Sequence, residues 1–237
     1  MDNGVQLAPQ EFIKSLTGAS PTEIQTYAAE IMSDREFNNR LGENRSNPRR
    51  RRFYSWGMGI GTGLGTVLYI VCRALKPDTV VETGVASGMS SAYILSALEK
   101  NKQGELYSID LPWEGTVTYP GRNLDTDGLL RETTRERQSG WLIPDSLRHR
   151  WHLIMGRSSE TLLPLLDKLG GIDIFLHDSE HSYQNMLWEY ETAWAHLKTG
   201  RILLSHNIDM NNVFSHFCGK AGAKGFVLTN MGGIVKA

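Results

Sequence analysis

Two short stretches concentrate side chains able to move protons or hold an ion. The run I-D-I-F-L-H-D-S-E-H-S-Y at residues 172–183 closes an apolar segment with His177, Asp178, Glu180 and His181. A second apolar run, L-L-S-H-N-I at residues 203–208, closes with His206 and Asn207. Such polar density at a buried strand end is costly unless it is solvated, paired or coordinating something. His181 and His206 are candidate general bases, because an imidazole exchanges protons near neutral pH, and Asp178 is a candidate orienting carboxylate. Asp178, His206 and Asn207 also form a candidate ligand set for Mg2+ or another divalent cation, with oxygens from the first and last and a softer nitrogen between them. Asp209 is a further acid, two residues beyond that set.

A third stretch, V-V-E-T-G-V-A-S-G at residues 80–88, points to a bound cofactor. Val80 and Val81 suit a buried strand, and residues 89–100 alternate as an amphipathic helix, so the glycines fall between a strand's carboxyl end and a helix's amino end. Gly84 and Gly88 remove side chains where backbone must approach a ligand, and Ser87 and Ser90 offer hydroxyls beside free helix N–H groups. Spacing argues against the dinucleotide fingerprint G-x-G-x-x-G, since Ala86 and Met89 stand at its second and third glycine positions. Asp110 ends the next apolar run, E-L-Y-S-I-D, where a carboxylate can accept hydrogen bonds from a ribose diol. That feature fits any adenosine-containing cofactor. Ser158, in Gly156-Arg157-Ser158, is equally a helix N-cap candidate and a cofactor contact.

The elements that must carry these residues alternate between strand and helix, as a mostly parallel α/β sheet with crossover helices requires. Strands are predicted at residues 79–83, 105–110, 151–155, 172–177 and 201–205, with two closing strands at 225–229 and 232–236. A helix at 183–197 keeps a 3.6-residue rhythm through Tyr183, Met186, Leu187, Tyr190, Ala193, Trp194 and Leu197, with Gly200 as its stop. Residues 1–48 form an N-terminal helical extension, in which Ser20-Pro21-Thr22-Glu23 reads as a capping box and Ile24, Tyr27, Ala28 and Ile31 share one face. Residues 49–237 form the main domain. A buried helix is expected at 64–74, and residues 111–139 are long and polar enough for a substrate-facing insertion.

Bulk properties bound the partners. With 237 residues, 40% of them hydrophobic, the chain can bury one sizeable α/β core. The net charge of -1 gives no reason to expect a nucleic acid, and the arginines at 49–52 read as a solvated run. Alternate glycines from 57 to 65 interrupt the uncharged segment that follows, so no membrane span is expected. The opening residues lack a continuous apolar core, which predicts no signal peptide. Cys72 and Cys218 sit in apolar contexts, which suits a reducing, cytoplasmic location.

The glutamate two residues before Gly84, with small residues at Ala86 and Gly88, resembles the first motif of class I S-adenosylmethionine-dependent methyltransferases. H-D-S-E-H-S-Y resembles the D-x-D-H-S-Y pattern of small-molecule O-methyltransferases of the catechol and macrolide-sugar kind, with Asp178 at the first acid. G-W-L-I-P-D-S-L-R-H-R-W at residues 140–151 adds to the likeness. The resemblance implies a Rossmann-like seven-stranded sheet whose last strand is antiparallel, with helices on both faces. It implies S-adenosylmethionine held by Glu82, Gly84, Ala86, Ser87, Gly88, Asp110, Ser158 and Asp178, and methyl transfer to a small-molecule acceptor, most naturally at a hydroxyl oxygen. In metal-dependent relatives the strand end at His206-Asn207 carries a carboxylate, which this chain lacks. A nicotinamide-dependent oxidoreductase and a non-catalytic cofactor-binding protein are the rival readings, and the N-terminal helix makes a homodimer an expectation.

Overall fold

The computed structural model describes residues 4–43, 62–111 and 139–237. The arginine run, most of the alternate glycines and nearly all of the expected insertion lie outside these residues. In chain order the elements are β1 (Val5–Gln6), α1 (Pro9–Thr17), α2 (Pro21–Ser33), α3 (Arg35–Glu43), α4 (Thr62–Leu75), β2 (Thr79–Thr83), α5 (Met89–Asn101) and β3 (Glu105–Asp110). A 3₁₀ turn (Asp145–Arg150) leads into β4 (Trp151–Met155), α6 (Ser158–Leu169), β5 (Ile172–His177), α7 (Tyr183–His196), β6 (Leu197–Ser205), α8 (Val213–Ala221), β7 (Phe226–Leu228) and β8 (Met231–Val235).

The strands make one sheet in the order β1-β7-β8-β6-β5-β2-β3-β4, parallel except for β8, which runs antiparallel to both of its neighbours. The sheet has eight strands where the resemblance implies seven, because Val5 and Gln6 pair with Phe226 and Val227 at the far edge. Successive side chains of a strand face opposite sides, and the core divides accordingly. Val80, Ile174, Leu176, Ile202 and Leu204 face α1, α2, α4 and α5. Val81, Phe175 and Leu203 face α6, α7 and α8. Each such fully buried side chain contributes roughly 1.5–3 kcal/mol by leaving water.

At the sheet end opposite the site, the buried Asp173 sets the start of β2. Its Oδ2 accepts from the backbone N–H groups of Asp78 and Thr79, each at 2.9 Å, and its Oδ1 pairs with Lys198 and Arg201, each at 3.1 Å. Several boundaries differ from expectation by a few residues, and two of them change a residue's role. Helix α7 stops at His196 and β6 begins at once, so Gly200 serves the irregularity opposite β5 rather than a helix end; its φ of 76° suits that role. Arg157, not Ser158, is the N-cap residue of α6, and it caps without a side-chain bond.

The capping box of α2 forms as the sequence predicts, with Ser20 and Glu23 each satisfying the other's backbone. Phe12, Ile13, Leu16, Ile24 and Ile31 join the same core as the sheet. Glu30 of α2 ties this layer to α4 through Arg73 at 3.0 Å and through the Tyr69 hydroxyl. Both cysteines are buried and unpaired, and no helix among the described residues is long and apolar enough to cross a membrane.

Candidate active site

Every strand that ends in a chemically active residue ends at the same edge of the sheet. Register places Thr83 beside His177 and Ile109, His177 beside Ser205, and Asp110 beside Met155. Parallel strands deliver their carboxyl ends together, so glycine loop, acid and histidine cluster share one rim.

The glycine loop is shaped by close approaches of protein backbone. A Cβ on Gly84 would lie 2.0 Å from the Asp178 carbonyl oxygen, and one on Gly88 would lie 2.7 Å from the Gly140 Cα. Both residues have left-handed φ values, 85° and 83°, and Gly88 caps α5. Ala86 between them also sits at φ 47° and is exposed, a strained conformation for a residue with a Cβ. The following segment is stitched to the loop by Gly140 N–H to the Ala86 carbonyl and Leu142 N–H to the Ser87 carbonyl, each at 2.9 Å.

Glu82 lies beneath this loop with no exposed surface. Its carboxylate accepts from the hydroxyls of Ser90, Ser91 (2.6 Å) and Ser108 (2.9 Å), and burial raises its pKa to about 7 against those bonds. Of the expected cofactor residues, Glu82 therefore stands under the loop as its support. The hydroxyl of Ser90 is turned down to Glu82 instead of out beside the helix N–H groups. Ser87 and Gly88 are buried, Gly84 is half-buried and Ala86 is exposed.

Asp110 is partly buried at the end of β3. Burial raises its pKa, against hydrogen bonds from Ser139 and the backbone of Val85, Leu111 and Ala86. Leu111 and Met155 flank it with 50% and 45% of their surface exposed, which is apolar area open beside a carboxylate. Ser158 lies at the start of α6, with its hydroxyl 3.5 Å from Asn185 Oδ1.

The histidine cluster has two layers. In the lower one, Glu189 of α7 is fully buried and accepts from His177 Nδ1 (2.7 Å), Thr83 Oγ1 (2.6 Å), Ser179 Oγ (2.7 Å) and Asn185 Nδ2 (3.1 Å). Burial favours the neutral carboxyl, but the His177 imidazole and these donors outweigh it and hold the pKa at about 2. The His177 ring stands edge-on to that of His181, with centroids 5.3 Å apart.

In the upper layer, Asp178 Oδ1 lies 2.9 Å from His206 Nδ1 and 3.7 Å from His181 Nε2. Burial would raise the Asp178 carboxyl; the two imidazoles reverse this and hold it below the usual carboxylate range. His206 is only 2% exposed, and its Nε2 stands 3.1 Å from Asn230 Nδ2. Asn207, at φ 54°, accepts from the same Asn230 nitrogen at 2.8 Å. Asn211 Nδ2 donates to the His181 carbonyl at 3.0 Å and so links the two loops.

The sequence-predicted Asp178, His181, His206 and Asn207 are thus brought together, while Glu180 and Asp209 form none of these contacts. Glu189 and Asn230 escaped the sequence reading. Glu189 had a signal: an acid set among the buried Met186, Tyr190 and Ala193 of one helix face. Asn230 had none.

The buried nitrogens of the cluster separate its members. Among the described residues, His177 Nε2 and His181 Nε2 have no hydrogen-bond partner. Both nitrogens of His206 have one. A buried polar atom without a partner calls for an explanation.

Residues 81–208 match the family model described as "Methyltransferase domain". Among solved structures, the chain is similar to the SAH-bound methyltransferase PaMTH1 of Podospora anserina, at 15% identity over 96% of this chain and 93% of that one, with a TM-score of 0.53. It is also similar to TomG, an O-methyltransferase of Streptomyces achromogenes involved in tomaymycin synthesis and solved with SAM, at 16% identity over 96% of both chains and a TM-score of 0.52. An O-methyltransferase of Bacillus cereus in complex with SAH gives 12% identity over 96% of both chains, with a TM-score of 0.50. Identities this low establish a shared fold. No curated protein sequence matches the chain. With a family match that spans the glycine loop, Asp110, the histidine cluster and Asn207, on a sheet in which the antiparallel β8 stands between β7 and β6, the chain belongs to the methyltransferase-domain family and has the class I S-adenosylmethionine-dependent methyltransferase fold.

Proposed function

We propose that this protein transfers a methyl group from S-adenosylmethionine to a hydroxyl oxygen of a small-molecule acceptor, with His181 as the base. The observation that carries the proposal is the buried His181 Nε2, without a hydrogen-bond partner among the described residues, on the same rim as the glycine loop and Asp110. The residues fit the cofactor. Asp110 can accept from a ribose diol, Leu111 and Met155 offer apolar faces to an adenine beside it, and the amino end of α5 favours a carboxylate. When bound there, S-adenosylmethionine supplies a methyl group already activated on a sulfonium.

The protein's part is to align an acceptor hydroxyl and remove its proton. The His181 ring, whose side chain is 12% exposed, takes the proton, and the Asp178 carboxylate 3.7 Å from its Nε2 stabilises the imidazolium that results. His206 serves instead as an orienting group, since both its nitrogens are already engaged. The set Asp178, His206 and Asn207 does not fit a Mg2+ cradle as arranged: it holds a single carboxylate, and its oxygens accept from His206 and Asn230. Proton transfer by His181 needs no such ion.

Calorimetric titration of chelator-treated protein with S-adenosylmethionine, S-adenosylhomocysteine and NADH, followed by methyl transfer to a panel of catechols and hydroxybenzoates with and without Mg2+, tests the proposal. Binding of the adenosyl ligands alone, with turnover that survives the chelator, is the expected result. Preference for NADH would favour the oxidoreductase, magnesium-dependent turnover would restore the metal, and binding without turnover on any hydroxyl would favour a non-catalytic role.

A further inference from the structure

Asn230 lies in the turn between β7 and β8, beyond the residues that match the family model. It grips three consecutive positions of the loop after β6. Its Nδ2 meets His206 Nε2 at 3.1 Å and Asn207 Oδ1 at 2.8 Å, and its backbone carbonyl accepts from Ile208 N–H at 3.1 Å. The chemistry of the partners fixes the direction of the first contact. His206 Nδ1 faces a carboxylate oxygen at 2.9 Å, which only accepts, so Nδ1 carries the ring hydrogen. In a neutral imidazole Nε2 is then an acceptor and needs a donor. A carboxamide nitrogen with two hydrogens serves Nε2 and the Asn207 oxygen at once.

We infer that Asn230 is a positioning residue of the active site, which holds His206 in its Nδ1–H tautomer so that the ring donates to Asp178 and sets that carboxylate beside His181. Without the Asn230 donor, nothing among these contacts favours the Nδ1–H form over its alternative at Nε2 except Asp178 itself. A ring free to swing would let the Asp178 oxygen shift from the position it holds 3.7 Å from His181 Nε2. The effect on turnover rests on the base role proposed for His181. The tautomer of His206 does not.

The test compares wild type with Asn230→Ala, which loses side chain and donor together, and with the near-isosteric Asn230→Asp, which keeps the shape and lacks the hydrogens. Full-length protein labelled with 15N-histidine reports the ring nitrogens by NMR, with the His206 signals identified by their loss in His206→Gln. The expected wild-type pattern is an Nδ1–H ring with an accepting Nε2, and both Asn230 variants depart from it. Turnover of 3,4-dihydroxybenzoate falls about tenfold in both variants, while S-adenosylmethionine affinity stays within about twofold. An unchanged His206 tautomer in both variants overturns the inference, as does wild-type turnover in Asn230→Asp. Should wild type fail to methylate this acceptor, the acceptor class proposed above falls, and the NMR comparison still decides the role of Asn230.

Discussion

Two carboxylates of this protein are wholly buried a few residues from the site, and their surroundings drive them in opposite directions. Glu82, below the glycine loop, is caged by three serine hydroxyls and titrates near 7. Glu189, below the histidine cluster, adds an imidazole to a similar set of neutral donors and titrates near 2. Neutral dipoles do not offset the cost of burying a charge here, whereas an ionisable partner does. The contrast extends to the halves they support. Under the loop every oxygen of the acid is matched by a donor and the backbone is clamped by close contacts, as suits a surface that must keep one shape. Around the cluster two imidazole nitrogens lack partners among the described residues, which fits the proton transfer proposed for His181.

The largest effect is expected from His181→Ala, which removes one of those nitrogens. Turnover should fall by about 10² to 10⁴, with S-adenosylmethionine affinity unchanged by calorimetry. A comparable loss of cofactor affinity would erase the division between the halves. Next comes the pH dependence of stability, followed by chemical denaturation. Glu82 has a folded pKa of about 7, above the 4.5 of an unperturbed glutamate, so its contribution is complete below 4.5 and is lost as pH rises to 7. Glu189, at about 2, contributes above 4.5 and loses that contribution as pH falls toward 2. Each swing is on the order of 3 kcal/mol. Glu82→Gln should flatten the loss between pH 4.5 and 7, and Glu189→Gln should flatten the acid limb; equal behaviour of the two variants would refute the contrast. The smallest effect is expected from Asp110→Ala, with adenosyl-ligand affinity reduced about tenfold and the denaturation midpoint little changed. Unchanged affinity would remove Asp110 from the binding half.

How much of this was legible in the sequence depended on how local the cause was. β2, β3, β4 and β5 fall on the predicted residues because a short run of β-branched, aromatic and apolar residues marks each of them, closed here by Thr83, Asp110, Met155 and His177. The capping box at Ser20 and Glu23 is equally local. The residues that hold the glycine loop and the histidine cluster in place were less visible. Glu82 showed itself as an acid before a glycine loop, but its three serine partners come from two other elements. Asn230, in the turn between β7 and β8, acts on a histidine of the loop after β6, far from it in sequence, and no spacing rule links them. β1 escaped for the same reason: two exposed residues carry no periodicity, and their partner strand lies near the other end of the chain.

That pairing bears on how the molecule is made. During synthesis, Val5 and Gln6 emerge before every other described strand of the sheet, yet the strand they join is built from Phe226 and Val227. The N–H of Val5 and that of Leu7 find their acceptors, Gly225 and Val227, only then. The helices that follow β1 carry Phe12, Ile13, Leu16 and Ile24, so the growing chain holds an apolar surface whose seat on the sheet is completed late. Such long-range closure slows folding and prolongs exposure of that surface.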